Sequence, residues 1–130
     1  MSAVTAKFRT GPVTFAAEEA VIGGQVVEAG SGARTIKPAT AGSAKILGVA
    51  LIDAEPKGDT YTGKPNHASV AMAPAQVPVE AEGDVAVGDL VIAAAGGKVA
   101  KADDVAPQAQ IVGRVIETLA DKTVSVRLYC

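Results

Sequence analysis

A chain of 130 residues and 12.9 kDa has the size of one ordinary domain, which argues against separate catalytic and binding domains. Its 12 basic and 14 acidic residues leave a formal charge of −2 with no basic block, so nucleic acid is a poor partner. Leu, Ile, Val and Phe together supply 32 residues, enough to fold, yet the apolar content is mostly 26 Ala and 18 Val, with 2 Phe, 2 Tyr and no Trp; such a core is thin, and a partner surface would add to it.

Residues 1–11 mix small, polar and basic groups without periodicity and read as an extended arm. From there a repeat organises the chain. Val21-Ile22-Gly23-Gly24-Gln25-Val26-Val27 aligns with Val85-Ala86-Val87-Gly88-Asp89-Leu90-Val91 at an offset of 64, and Ala44-Lys45-Ile46-Leu47-Gly48-Val49-Ala50-Leu51 aligns with Ala109-Gln110-Ile111-Val112-Gly113-Arg114-Val115-Ile116 at an offset of 65. Between these blocks, Ile36-Lys37-Pro38-Ala39 stands where Val99-Ala100-Lys101-Ala102 stands later. Two related half-repeats follow, about 12–73 and 77–128, within a single β domain of residues 12–130.

Each half consists of short Val/Ile/Leu segments punctuated by Gly about every ten residues, the pattern of an all-β sandwich or small barrel. Ser31-Gly32 and Gly96-Gly97 read as hairpin turns, the latter between strands over 89–94 and 98–101. Gly48 and Gly113, inside strong strand segments, mark a shared bend or close backbone approach. Residues 54–67, rich in Pro and Gly, form an inserted loop where the second half has only Ala120-Asp121-Lys122. A strand over 68–73 is the counterpart of Thr123-Val124-Ser125-Val126-Arg127-Leu128, whose alternation buries Val124, Val126 and Leu128 on one face. The one candidate helix is a turn or two around 103–108, interrupted by Pro107.

Candidate chemistry is sparse. Gly58-Asp59-Thr60-Tyr61-Thr62-Gly63-Lys64 has phosphate-loop spacing, but Pro65 follows where a Ser or Thr must ligate magnesium, so it reads as a plain loop. The lysine in Glu117-Thr118-Leu119-Ala120-Asp121-Lys122 sits as in a carrier-domain hairpin, but only eight residues remain after it; a hairpin turn is the better reading. His67, the single histidine, reads as a solvated loop residue. Glu80, Glu82 and Asp84 alternate on what would be a solvated strand face and lack a calcium-loop pattern. Cys130, the single cysteine, excludes an intrachain disulfide or cysteine zinc cluster and reads as a frayed terminus. No metal, cofactor or catalytic residue is expected, nor any membrane segment, since no apolar stretch approaches the roughly 20 residues needed to cross a bilayer. With no signal-peptide pattern near Lys7 and Arg9, synthesis in the cytoplasm is expected.

The blocks Ala-Val-Ile-Gly-Gly-Gln-Val-Val, ending at Val27, and Lys-Ile-Leu-Gly-Val-Ala-Leu, ending at Leu51, together with Val87-Gly88-Asp89-Leu90-Val91, Gly97-Lys98-Val99 and Ile111-Val112-Gly113-Arg114-Val115, resemble the capsid decoration, or cement, proteins of tailed bacteriophages over residues 12–128. That resemblance implies a small β-rich protein, often a homotrimer, bound to the outside of an assembled head at threefold or quasi-threefold positions. It implies no enzyme activity, and its partners are the major capsid protein and other copies of the chain. The arm, with Lys7, Phe8 and Arg9, is the candidate capsid contact, since an extended segment can add a strand to a neighbour's sheet edge. The alternatives are a small β-barrel binding or carrier-like module of a cellular complex and, more remotely, an enzyme using the 54–67 loop.

Overall fold

The computed structural model describes residues 11–58, 62–120 and 122–130. Among the described residues the fold has ten strands: β1 (Val13–Ala17), β2 (Val26–Ala29), β3 (Thr35–Pro38), β4 (Ile46–Ala50), β5 (His67–Ala71), β6 (Gln76–Glu80), β7 (Leu90–Ala93), β8 (Val99–Lys101), β9 (Ile111–Thr118) and β10 (Thr123–Leu128). The expected helical turn after residue 103 appears only as a single 3-10 turn, Gln108–Gln110, because Pro107 begins it with extended rather than helical backbone. A second 3-10 turn, Ala95–Gly97, forms the hairpin between β7 and β8, where Gly96 and Gly97 both take positive φ.

The repeat holds down to register. The first five strands close into a barrel in the order β1-β3-β2-β4-β5; the second five form a sheet in the order β6-β10-β9-β7-β8, the same cyclic order opened between β8 and β6. A single parallel bridge, Ala81 to Val99, stands at that opening where the barrel has the parallel pairing of Ala17 with Ile36. Val27 faces Gly48 and Val91 faces Gly113, and each pair is followed by a register shift at the same place, between Val27 and Glu28 and between Val91 and Ile92. The turns before β2 and β7 also match. Gly24 at φ +94° donates to the Ala50 carbonyl at 2.7 Å, and Gly88 at φ +91° donates to Val115 at 2.8 Å. Gln25 Oε1 accepts from Ile22 N–H at 2.8 Å as Asp89 Oδ2 accepts from Ala86 N–H at 2.9 Å.

The glycines inside β4 and β9 are there because the strands run against a neighbour with no room for a side chain. A Cβ on Gly48 would overlap the Ala71 carbonyl, and one on Gly113 the Arg127 carbonyl, well inside van der Waals contact.

Among the described residues two apolar clusters hold the fold. One lies wholly in the first half and includes Val21, Val27, Ile36, Ala68 and Val70, with Phe15 and Leu47 packed against it. The larger one fills the second sheet with Val91, Val99, Val112, Val115, Val126 and Leu128, and it also takes in Val26, Ala39, Val49 and Ala71 from the first half. Strand β2 is therefore buried on both faces at Val26, Val27 and Glu28, whereas its counterpart β7 is buried on one face only. That asymmetry and the opening between β8 and β6 set the two halves apart.

Candidate functional site

The candidate capsid contacts Lys7, Phe8 and Arg9, and the arm 1–11 except Gly11, lie outside the described residues. The candidate site residues that are described do not converge. In the 54–67 loop, whose residues 59–61 are also outside the described set, Lys64 lies 3.6 Å from Glu55, and Glu55 accepts from Thr62 Oγ1 at 2.7 Å, so the lysine and a carboxylate occupy one another. The loop starts later than expected, since Ala54 is buried and bridges to Val21, and it stops sooner: His67 is the first residue of β5, paired with Ala16. The histidine is exposed, its Nδ1 2.7 Å from Asn66 Oδ1.

Glu80, Glu82 and Asp84 do not share a strand face. Strand β6 ends at Glu80, which pairs with Lys98 at 3.4 Å, and the chain bends at Glu82 once its N–H has bonded the Val99 carbonyl at 2.7 Å. Among the described residues no group of His, Cys, Asp and Glu is placed to hold a metal. Lys122 occupies the turn between β9 and β10 at φ +61°, with its carbonyl accepting from Ala81 N–H at 2.7 Å. Cys130 is not frayed. Its carbonyl accepts from Ala73 N–H at 2.6 Å, its Sγ lies 3.8 Å from the Val112 carbonyl, and burial pushes the thiol above its ordinary pKa.

Two carboxylates are built into the frame instead. Buried Glu28 accepts from Thr40 N–H at 2.6 Å and Thr40 Oγ1 at 3.0 Å, with Lys45 at 3.9 Å. Burial by itself would raise its pKa; the Thr40 and Ser43 hydrogen bonds and the charge of Lys37 outweigh it and hold the carboxyl below the usual glutamate range. Glu18 accepts from the Ser31 hydroxyl and from Ser31 N–H at 2.8 Å, which fixes the turn between β2 and β3 and lowers its own pKa.

The surface features missed by the sequence reading are apolar and concave. Ile22, Leu51 and Ile52 are each exposed and adjoin one another, because the turn at Gly23 rests on the backbone of Leu51 and Ile52 and donates to Asp53 Oδ1 at 2.8 Å. Val87 and Ile116 are exposed at the matching place in the second half. The signal was available in the repeat, since Ile22 and Val87 both occupy the Gly-containing turn where no core position is free. A cavity of about 580 Å³ runs between the two halves beside Ile22, Gln25, Pro78 and Lys98, and another of about 860 Å³ lies on the far side of the second sheet beside Asp89, Leu90 and Arg114.

The fold so defined is a tandem of two five-stranded β units with a common strand order. That fold is shared with the N base of the head fiber gp8.5 of bacteriophage phi29, whose crystal structure is similar to this chain with a TM-score of 0.64 at 21% identity, over 91% of this chain and 92% of that one. By its name that protein belongs to a phage head, in agreement with the resemblance of this sequence to capsid decoration proteins. No protein-family profile matches the sequence, and no curated protein matches it.

Proposed function

We propose that this chain is a structural virion protein that binds the outer surface of the assembled phage head and stabilises the lattice of the major capsid protein, as a homotrimer at threefold or quasi-threefold positions. The observation that carries the reading is the agreement in fold over about nine-tenths of both chains with a phage head fiber base. The composition supports it: a core of Val and Ala buries little area per residue, and attachment to a folded partner adds stability by mass action. The role is structural, with no enzyme activity, nucleic acid or membrane involved, and with synthesis in the host cytoplasm before assembly.

The arm with Lys7, Phe8 and Arg9 and the apolar tip of Ile22, Leu51 and Ile52 are the two surfaces that would meet the capsid. The test is to mix purified protein with undecorated heads and image them. Added density on the outer surface at threefold positions supports the reading, and bare heads at saturating protein refute it.

A further inference from the structure

Within one chain, the second half seats on the first through a defined set of contacts. Gly97 N–H donates to the Ala39 carbonyl at 3.3 Å, Gly42 N–H to Ala93 at 2.9 Å, and Gln25 Nε2 to Gly96 at 3.0 Å. The receiving face is Gln25, Val26, Ala39 and Gly42; the inserted element is the turn of Gly96 and Gly97.

The repeat carries both partners of this contact a second time. Register maps Val27 onto Val91 and so Gln25 and Val26 onto Asp89 and Leu90. Ala39 N–H bonds the Val26 carbonyl as Ala102 N–H bonds Leu90, both at 2.9 Å, which maps Ala39 onto Ala102 and Gly42 onto Val105. The second receiving face is therefore Asp89, Leu90, Ala102 and Val105, and all but Val105 line the cavity of about 860 Å³. Val26 is fully buried under the second half, while Leu90 is only half-buried and Val105 is 89% exposed. The second inserted element is the turn before β3, where Ala33 and Arg34 occupy the places of Gly96 and Gly97, counted back from the paired residues Ile36 and Val99. Residues 31–34 are exposed.

A two-fold relation between the halves would bring this turn onto the Asp89 face of its own chain. It does not do so; the internal contact is heterologous, with different surfaces on its two sides, and leaves one unmatched face at each end. We infer that the turn of Ala33 and Arg34 of one copy seats in the cavity beside Asp89 and Leu90 of the next copy, head to tail. The substitutions between the two sets fit that occupant. Gln25 and Gly97 meet inside the chain with no room for a Cβ on Gly97, which would lie 2.9 Å from Gln25 Cβ; at the second set stand Asp89 and Arg34, of opposite charge. An arginine needs a wider seat than a glycine, and the cavity supplies it, with Asp103 and Asp104 joining Asp89 in negative charge against Lys101 and Arg114, the latter already bonded to the Gly88 carbonyl and Tyr129. Arg34 takes positive φ as Gly97 does, its guanidinium bonded to the Thr14 carbonyl and stacked over Phe15, so the turn is presented in a fixed shape.

The inference rests on the self-association in the proposed function and names the surfaces that carry it. Three variants test it: Arg34→Asp, the pair Asp103→Arg with Asp104→Arg, and all three changes together, each checked for fold by circular dichroism and measured by sedimentation equilibrium. Asp tolerates positive φ, and residues 103 and 104 are exposed, so folding should persist. Self-association is expected to weaken more than tenfold in the first two and to return within about threefold of the natural chain in the third. Wild-type protein that stays monomeric at high concentration, or Arg34→Asp protein that associates unchanged, overturns the contact. In a Cys130→Ser background, Ala33→Cys chains and Asp104→Cys chains should form disulfide-linked dimers only when mixed; dimers of either variant alone would show a symmetric contact and overturn the head-to-tail arrangement. Head binding is not read in either experiment, so failure here bears on the contact between copies and leaves the capsid assay to judge the function.

Discussion

Replacing Gly48 by Ala tests whether the close approach of β4 to β5 is what the glycine provides. The added Cβ would overlap the Ala71 carbonyl and sit 2.9 Å from Val70 Cγ1, so the strands must part by roughly 1.5 Å to clear the carbonyl, since ordinary contact is about 3.5–4.0 Å. Parting them weakens one or two ladder hydrogen bonds, about 1 kcal/mol each, and strains the packing around Val70 by about 1–3 kcal/mol. Gly48 also sits at φ +153°, which side-chain-bearing residues rarely adopt, adding about 1 kcal/mol or more. The expected loss is therefore about 3–6 kcal/mol, a large share of the roughly 5–15 kcal/mol that holds a domain folded. Gly113→Ala meets the Arg127 carbonyl in the same way but without the unusual φ, and should lose somewhat less. Gly58→Ala has nothing within 4 Å and serves as the neutral control. Urea unfolding followed by circular dichroism gives the three midpoints. A Gly48→Ala loss below about 1 kcal/mol, or one no larger than that of Gly58→Ala, would refute the steric account.

Glu28→Gln should destabilise the fold by about 1–3 kcal/mol at neutral pH, because a buried carboxylate that accepts from Thr40 N–H and Oγ1 is exchanged for a weaker acceptor. Since the folded carboxyl titrates below its unfolded value, its contribution is fully present above the usual glutamate pKa of 4.5 and fades as pH falls through the lowered one; thermal melts from pH 7 to 3 should show a shallower acid slope in the variant, and parallel slopes would contradict this. Cys130 should react with iodoacetamide at neutral pH many times more slowly in the folded protein than in urea, given its half-buried, raised-pKa thiol, and equal rates would contradict the docked C-terminus. Deleting residues 1–10 should leave the fold and its melting temperature unchanged, as both apolar clusters lie after residue 12, yet weaken head binding more than tenfold, or over about 1.4 kcal/mol. Unchanged head affinity would move the interface to the tip of Ile22, Leu51 and Ile52, which triple substitution by Ser would then test.

The repeat was legible in the sequence because it is written in residues whose reasons are local. Gly24 and Gly88 must take positive φ in equivalent turns, Gly48 and Gly113 must lack a side chain at equivalent crossings, and the alternation of β10 marks Val124, Val126 and Leu128 as buried, although Ser125 on the opposite face is buried as well, bonded by Gln76. Those constraints recur at offsets of 64 and 65 and point to an all-β tandem without any knowledge of contacts. Roles that depend on something distant in the chain leave no such local mark. His67 joins β5 because Ala16, fifty-one positions earlier, pairs with it, and Cys130 is docked because Ala73 reaches its carbonyl. Glu28 stands where the other repeat has Ile92, and only tertiary structure surrounds it with Thr40, Ser43 and Lys45. The sequence by itself determined two similar β units, because backbone conformation and face periodicity are set by near neighbours. Only the tertiary structure decided how they meet: the second half covers Val26 and Ala39 and leaves Leu90 and Ala102 partly open, a choice made by the fit of Gly97 against Gln25 across the chain.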